Sequence, residues 1–259
     1  MTLYVEKRGE RGPELVLLHG WGLSSDIWQP LVDQLAERYR LTLIDLPGLG
    51  RSEPLTETTL DSLVEAVLAQ VPERALWVGW SLGGTLAVHA AAKAPGRISA
   101  LMLVAASPCF VQRPDWSCGM EMNTFEAFEQ GLVTSPVKTL NRFAALQTQG
   151  SVRARQEFKL LKQVIADSPA SSEGLVATLG VLRADLRPLL GQLSSPVTVL
   201  LGDHDPLVPV SLKDALVTLI PDARVVCAEH SAHLPFLTEP DICIAELDKL
   251  AAQSQRGSS

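Results

Sequence analysis

The stretch that most constrains this chain is the run of residues 75–84, ALWVGWSLGG. A short apolar run ends in Gly79-Trp80-Ser81-Leu82-Gly83, and an alanine-rich helical pattern follows over 84–93. This reads as strand, sharp turn, helix, with Ser81 at the apex. The glycines are a matter of crowding. So tight a turn brings strand and helix together until a Cβ at 79 or 83 would clash, and it leaves the serine in a strained backbone conformation. The strain is expected to hold the Ser81 hydroxyl up and exposed, over a helix N-terminus that favours negative charge. The plain alternative is a tight turn whose serine only caps a helix.

Short apolar runs at 15–18, 41–44, 75–78, 100–104 and 197–201 are flanked by turn residues and nearly continuous in apolar character, as parallel strands covered on both faces should be. Residues 4–7 and 224–228 are expected as outer strands. Helical spacing fills 28–38, 60–71 and 84–94, with an amphipathic closing helix at 242–252 and a fraying polar tail at 253–259. The alternation predicts an α/β sheet with right-handed crossovers. It breaks once. Between about 106 and 197 no strand is evident, and helical patterns at 125–132, 137–148, 151–165 and 173–182 are punctuated by Pro136, Gly150 and Ser168-Pro169. An insertion there is expected to lie over the carboxyl ends of the strands, where open α/β sheets bind ligands. The alternative is helices packed beside the sheet. The expected division is a core of 1–109 and 190–259 with a helical cap of 110–189.

No apolar run reaches the ~18 residues of a membrane helix, and the first twelve residues lack the apolar core of a signal peptide. Cys109, Cys118, Cys227 and Cys243 form no C-x-x-C pair, so neither metal nor redox use is expected, and reduced thiols in the cytoplasm are the simplest reading. A net charge of −7 argues against nucleic acid as a partner.

A serine hydroxyl needs a base, and the base an orienting acid. In this chain order the acid should come first and the histidine last, each on a loop after a strand. The run at 197–201 leads into Gly202-Asp203-His204-Asp205-Pro206. Asp205 is preferred because it lies farther into the loop; Asp203 is the alternative, suited to a local turn bond. His233, in Glu229-His230-Ser231-Ala232-His233-Leu234, falls between the last strand and the last helix, with His230 its rival. His19 ends a strand and reads as structural. For an oxyanion, one donor is the N–H of Leu82; the second is expected from Trp21 in the loop His19-Gly20-Trp21-Gly22.

These motifs, with Asp45-Leu-Pro-Gly-Leu-Gly-Arg-Ser52 between them, resemble the α/β-hydrolase superfamily over nearly the whole chain and in the right order. The resemblance implies a mostly parallel sheet flanked by helices, with a helical cap inserted after the sixth strand. More narrowly, Leu17-Leu-His-Gly-Trp-Gly-Leu23, Trp77-Val-Gly-Trp-Ser-Leu-Gly-Gly84, Ala106-Ser-Pro-Cys-Phe110, Arg142-Phe-Ala-Ala-Leu-Gln-Thr148 and Ala232-His-Leu-Pro-Phe236 resemble the family of pimeloyl-[acyl-carrier protein] methyl ester esterases of biotin synthesis. That resemblance implies a serine carboxylesterase needing no cofactor or metal, acting as a monomer on a carrier-bound methyl ester. Ser81, Asp205 and His233 are implied as the catalytic set. Trp21, Ser81, Leu82, Phe143, Ala144, Ala145, Leu146, Gln147 and His233 are implied as substrate contacts.

Charge points the same way independently. Residues 138–162 carry a net +5 while the remainder carries −12. On helices, Lys138 and Arg142 share one face, and Arg155, Lys159 and Lys162 another. A cationic face on an acidic protein suits an acidic partner such as acyl carrier protein, with Lys138, Arg142, Arg155 and Lys159 as its contacts. Where the family uses arginines, lysine stands at 138 and 159, keeping charge without bidentate bonding. A solvated helix face is the plain alternative. The competing functions are another small-ester or carbon–carbon bond hydrolase on the same scaffold, or a binding protein that keeps the pocket without turnover. An aspartyl nucleophile is disfavoured by serine at 81.

Overall fold

The structure, a computed structural model, describes residues 2–168 and 170–256. Its centre is a seven-stranded sheet in the order β1-β3-β2-β4-β5-β6-β7. The strands are β1 (Val5–Arg8), β2 (Glu14–Leu18), β3 (Arg40–Ile44), β4 (Ala75–Trp80), β5 (Ile98–Val104), β6 (Val197–Gly202) and β7 (Arg224–Ala228). Among the described residues only β1 runs antiparallel, pairing Val5 with Ile44 at the edge; the rest form parallel ladders such as Leu15 with Leu41 and with Leu76.

Alternation along each strand divides the core in two. Val16, Leu18, Trp77, Leu101 and Leu103 face one side, against α2 (Leu60–Leu68) and α3 (Leu82–Lys93). Leu15, Leu17, Leu76, Val78 and Met102 face the other, against α1 (Gln29–Ala36) and α11 (Pro240–Arg256). The near-continuous apolar strands are therefore buried on both faces, as their composition predicts.

Between β5 and β6 lie α4 (Met122–Thr134), α5 (Pro136–Thr148), α6 (Ala154–Asp167), α7 (Ser172–Gly180) and the short α8 (Arg187–Leu190). Among the described residues five strands, β1 to β5, precede this insertion, so it follows the fifth strand, not the sixth. Phe125, Leu132, Leu140, Leu175 and Leu179 of these helices join the same apolar cluster as Trp21, Leu82 and Leu207. They therefore pack over the strand ends carrying the site.

Two more helices, α9 (Leu212–Leu219) and α10 (Pro235–Thr238), follow β6 and β7. The expected fraying of 253–259 is met only in part by the described residues. Residues 253–256 continue α11, while 257–259 and Pro169 lie outside the described residues. Among the described residues no helix is long and apolar enough to cross a membrane.

Candidate active site

Ser81 joins β4 to α3 with φ 52° and ψ −116°. A non-glycine residue held there costs on the order of 1–3 kcal/mol. The turn is fixed by the Ser81 N–H donating to Val104 O at 3.0 Å and by Gly84 and Thr85 N–H donating to Ser81 O at 2.9 and 3.2 Å. A Cβ on Gly79 would lie 2.4 Å from Gly83 O, and one on Gly83 would lie 2.4 Å from Leu18 O. The crowding read from the motif is present. One expectation is corrected: Ser81 is 4 % exposed, not held out to solvent, because the helices after β5 roof it over.

The β6 and β7 loops meet beside this turn. Asp205 Oδ1 accepts from Leu207 N at 2.8 Å and Val208 N at 3.0 Å. Its Oδ2 lies 2.7 Å from His233 Nδ1, with both side chains fully buried. His233 Nδ1 therefore serves as the donor to the carboxylate, leaving Nε2 as the acceptor. Nε2 is buried and makes no hydrogen bond, so the bond to Ser81 Oγ is not closed here. Such bonds are often long in unliganded sites and tighten with substrate. The rivals lie elsewhere: Asp203 and His230 are exposed, and the Asp203 N–H is spent on Ala228 O at 3.0 Å.

Trp80, immediately before Ser81, is a positioning group that the motif did not reveal. Its Nε1–H donates to the carbonyl of His233 at 2.8 Å, and the two rings lie 5.6 Å apart. The His233 N–H donates to Gln147 O at 3.1 Å, so the histidine is held from the strand on one side and from α5 on the other. A bulky donor on the residue beside the nucleophile is the one sequence signal that could have found it.

The loop after β2 is set by His19. Its Nδ1 bonds Gly20 O at 2.8 Å, and its Nε2 accepts from Leu46 N at 2.9 Å. Burial holds its pKa below the ordinary histidine value, so the neutral ring serves both bonds, as its structural reading requires. Next along, Trp21 anchors its indole by donating to Leu175 O at 3.0 Å. The Trp21 backbone N–H enters no hydrogen bond among the described residues. The Leu82 N–H opens α3 and has no acceptor within its own helix.

Over Ser81 lies an apolar chamber walled by Trp21, Phe110, Phe125, Phe128, Phe143 and Leu207 among others. Of the five consecutive residues 143–147, only Phe143 lines it. Ala144 is buried in the core, Ala145 is exposed on the outer surface, Leu146 is half-buried, and Gln147 is buried with its carbonyl on His233. The reason is the helix: at about 100° per residue, five successive side chains cannot face one cavity. The walls Phe125, Phe128 and Leu207 have no motif of their own, and Phe110 ends the Ala106–Phe110 motif without a contact role read from it. Phe125 and Phe128 stand i, i+3 on one helical face, a pattern that reads equally as ordinary core.

Lys138, Arg142, Arg155 and Lys159 are all exposed, and among the described residues none is in an ion pair. They lie on α5 and α6, so two helices of the insertion carry exposed cations. α6 is tied back to the His233 loop. The Val152 N–H donates to His230 O at 3.2 Å, and Thr238 of α10 donates to the buried Glu157 carboxylate.

The model of the Alpha/beta hydrolase family matches residues 15–246, which include every group described above. The chain belongs to the alpha/beta hydrolase family. Within the matched span, strand order and turn geometry bring the segments around Trp80, Asp205 and His233 together. Among curated members, this hydrolase is 43% identical over 93% of its length to 94% of the pimeloyl-[acyl-carrier protein] methyl ester esterase of Pectobacterium atrosepticum. It is 39% identical over 96% of its length to 99% of the esterase of the same name from Nitrosomonas europaea. Solved structures share the fold: an esterase from Exiguobacterium antarcticum (TM-score 0.85, 24% identity, 96% of this chain and 95% of that one) and an enol-lactonase from Burkholderia xenovorans (0.84, 22%, 96% of each).

Proposed function

We propose that this hydrolase is a serine carboxylesterase that cleaves the methyl ester of a pimeloyl chain carried on acyl carrier protein, within biotin synthesis. The chemistry rests above all on the buried His233 imidazole, held by Asp205 with its second nitrogen unspent beside the Ser81 turn. The substrate reading is supported by the shared name of relatives matching almost end to end.

In this reading Ser81 Oγ attacks the ester carbonyl as His233 Nε2 takes its proton, and Asp205 stabilises the imidazolium. The Leu82 and Trp21 N–H groups receive the oxyanion. The carbon–oxygen bond to the methoxy group breaks, and methoxide leaves as methanol with the proton from His233. Water, deprotonated by His233, then opens the acyl-enzyme and yields the free carboxylic acid, with the thioester to the carrier untouched.

The apolar chamber supports the choice of end group. A neutral methyl ester enters it without an uncompensated charge, whereas a free carboxylate would be desolvated with no cation among the chamber walls. Residues 110–189 serve as the lid, and their exposed cations, with Val133 and Val137 at 75% and 73% exposed beside Lys138, suit an acidic carrier with an apolar contact.

The test is methanol release from purified pimeloyl-carrier methyl ester. Release that is lost in Ser81→Ala is expected. Hydrolysis of small aryl esters with no release from the carrier-bound ester would favour the alternative, a small-ester hydrolase of the same fold.

A further inference from the structure

The chamber over Ser81 is nearly full. Its free volume is about 30 Å³, enough for one or two waters and far less than a pimeloyl chain fills. An acyl chain that reaches Ser81 must therefore displace part of the wall.

Most of the wall is fixed. Phe125, Leu179 and Leu207 are buried in the core. Trp21 is anchored by its indole hydrogen bond to α7. Phe143 is wedged between two rings, edge-on to Trp21 at 5.0 Å and to Phe128 at 5.8 Å.

Phe128 differs. Like Phe143 and Met120 it is half-buried, but it alone of the chamber walls also lines an outer groove of about 350 Å³ between α4 and α5, with Thr124, Gly131, Thr139 and Arg142. It is the residue shared by chamber and groove. Gly131, one turn on from Phe128, lets α4 approach α5 closely on the groove's rim: a Cβ there would lie 2.7 Å from Thr139 Oγ1. Space into which the ring can turn thus lies on its outer side, in a groove whose lining includes the cationic Arg142.

We infer that Phe128 is a specificity-determining residue for the acyl chain: its ring swings into the α4–α5 groove when a long chain enters, joining groove and chamber into one channel from Ser81 to Arg142. This rests on the esterase reading above, and it needs only ester hydrolysis, not the carrier. Short acyl groups leave the ring in place; long ones require it to move.

The measurement is kcat/KM on p-nitrophenyl acetate and p-nitrophenyl octanoate, taken as a ratio, with the melting temperature of each variant recorded. Phe128→Ala removes the obstacle and is expected to raise the octanoate-to-acetate ratio about ten-fold; Phe128→Trp enlarges it and is expected to lower the ratio similarly. Phe128→Leu, a milder truncation, gives the same direction as alanine if the latter fails to fold. A ratio within about two-fold of the parent in all folded variants, or a shift of the same sign for Ala and Trp, overturns the assignment. Failure of the carrier reading looks different: the aryl-ester ratios respond as expected while the carrier-bound methyl ester yields no methanol.

Discussion

Gly202→Ala should disconnect acid from base without touching either. Gly202 closes β6 just before the Asp205 loop, and its backbone is outside the left-handed region, so alanine meets no conformational penalty of its own. Space is the obstacle. The added Cβ would lie 1.9 Å from Ala232 O and 2.7 Å from Ser231 O, both backbone atoms of the loop that carries His233. Ordinary contact begins near 3.4 Å, so the loop must retreat by about 1.5 Å, comparable to the 1 Å misplacement that can cost about 10²-fold in rate. The 2.7 Å bond between His233 Nδ1 and Asp205 Oδ2 cannot survive such a shift unchanged. Overpacking of this kind typically costs about 1–3 kcal/mol in stability. The expected outcome is a folded protein with a lowered melting temperature and kcat on p-nitrophenyl butyrate reduced about 100-fold or more. A variant that melts normally and keeps more than half of the parent kcat would refute the reasoning, since it would show that these loops need not approach so closely.

Four further outcomes follow from the same geometry. Ser81→Ala should reduce aryl-ester hydrolysis to near background, checked on p-nitrophenyl butyrate. Trp80→Phe keeps a ring but strips the donor from the buried His233 carbonyl; an unpaired buried acceptor costs about 1–3 kcal/mol, and kcat should fall more than KM rises in steady-state kinetics. His19 is held neutral, with a folded pKa below its unfolded value near 6.5. The unfolded chain therefore binds the extra proton as pH drops below about 6.5, and this group's stability is present above that pH and lost below it, at up to about 1.4 kcal/mol per pH unit; thermal melts of the parent and of His19→Gln between pH 7.5 and 5 should show that slope only in the parent. Reversing Arg155 and Lys159 to Glu should lower the ratio of activity on carrier-bound over free methyl ester at least about ten-fold at low ionic strength, with the gap narrowing as salt screens the surface.

The local chemistry of the site was legible because it is written in contiguous patterns. Gly79, Ser81 and Gly83 encode a turn that only a strand–helix junction needs, and Asp205 and His233 follow the strands at 197–202 and 224–228 that place them. The strands themselves were visible as apolar runs buried on two faces. What escaped notice is built from side chains whose sequence signal is shared with ordinary core. Phe125, Phe128 and Leu207 meet over Ser81 only through tertiary packing, and nothing in their neighbours distinguishes them from Leu140 or Leu186. The 143–147 run is contiguous in sequence but diverges around a helix, which sends Phe143 to the chamber, Ala145 to the outer surface and the Gln147 carbonyl to the His233 N–H. The burial of Ser81 likewise depends on a roof about forty residues and more away in sequence, which no local pattern reports.

The most direct test of the central claim, that a buried imidazole held by Asp205 activates one serine, is covalent labelling by a fluorophosphonate followed by peptide mass spectrometry. A single adduct on Ser81 is predicted, forming at least about 10²-fold more slowly in His233→Ala. Labelling at another residue, or at Ser81 with an unchanged rate in His233→Ala, would contradict it.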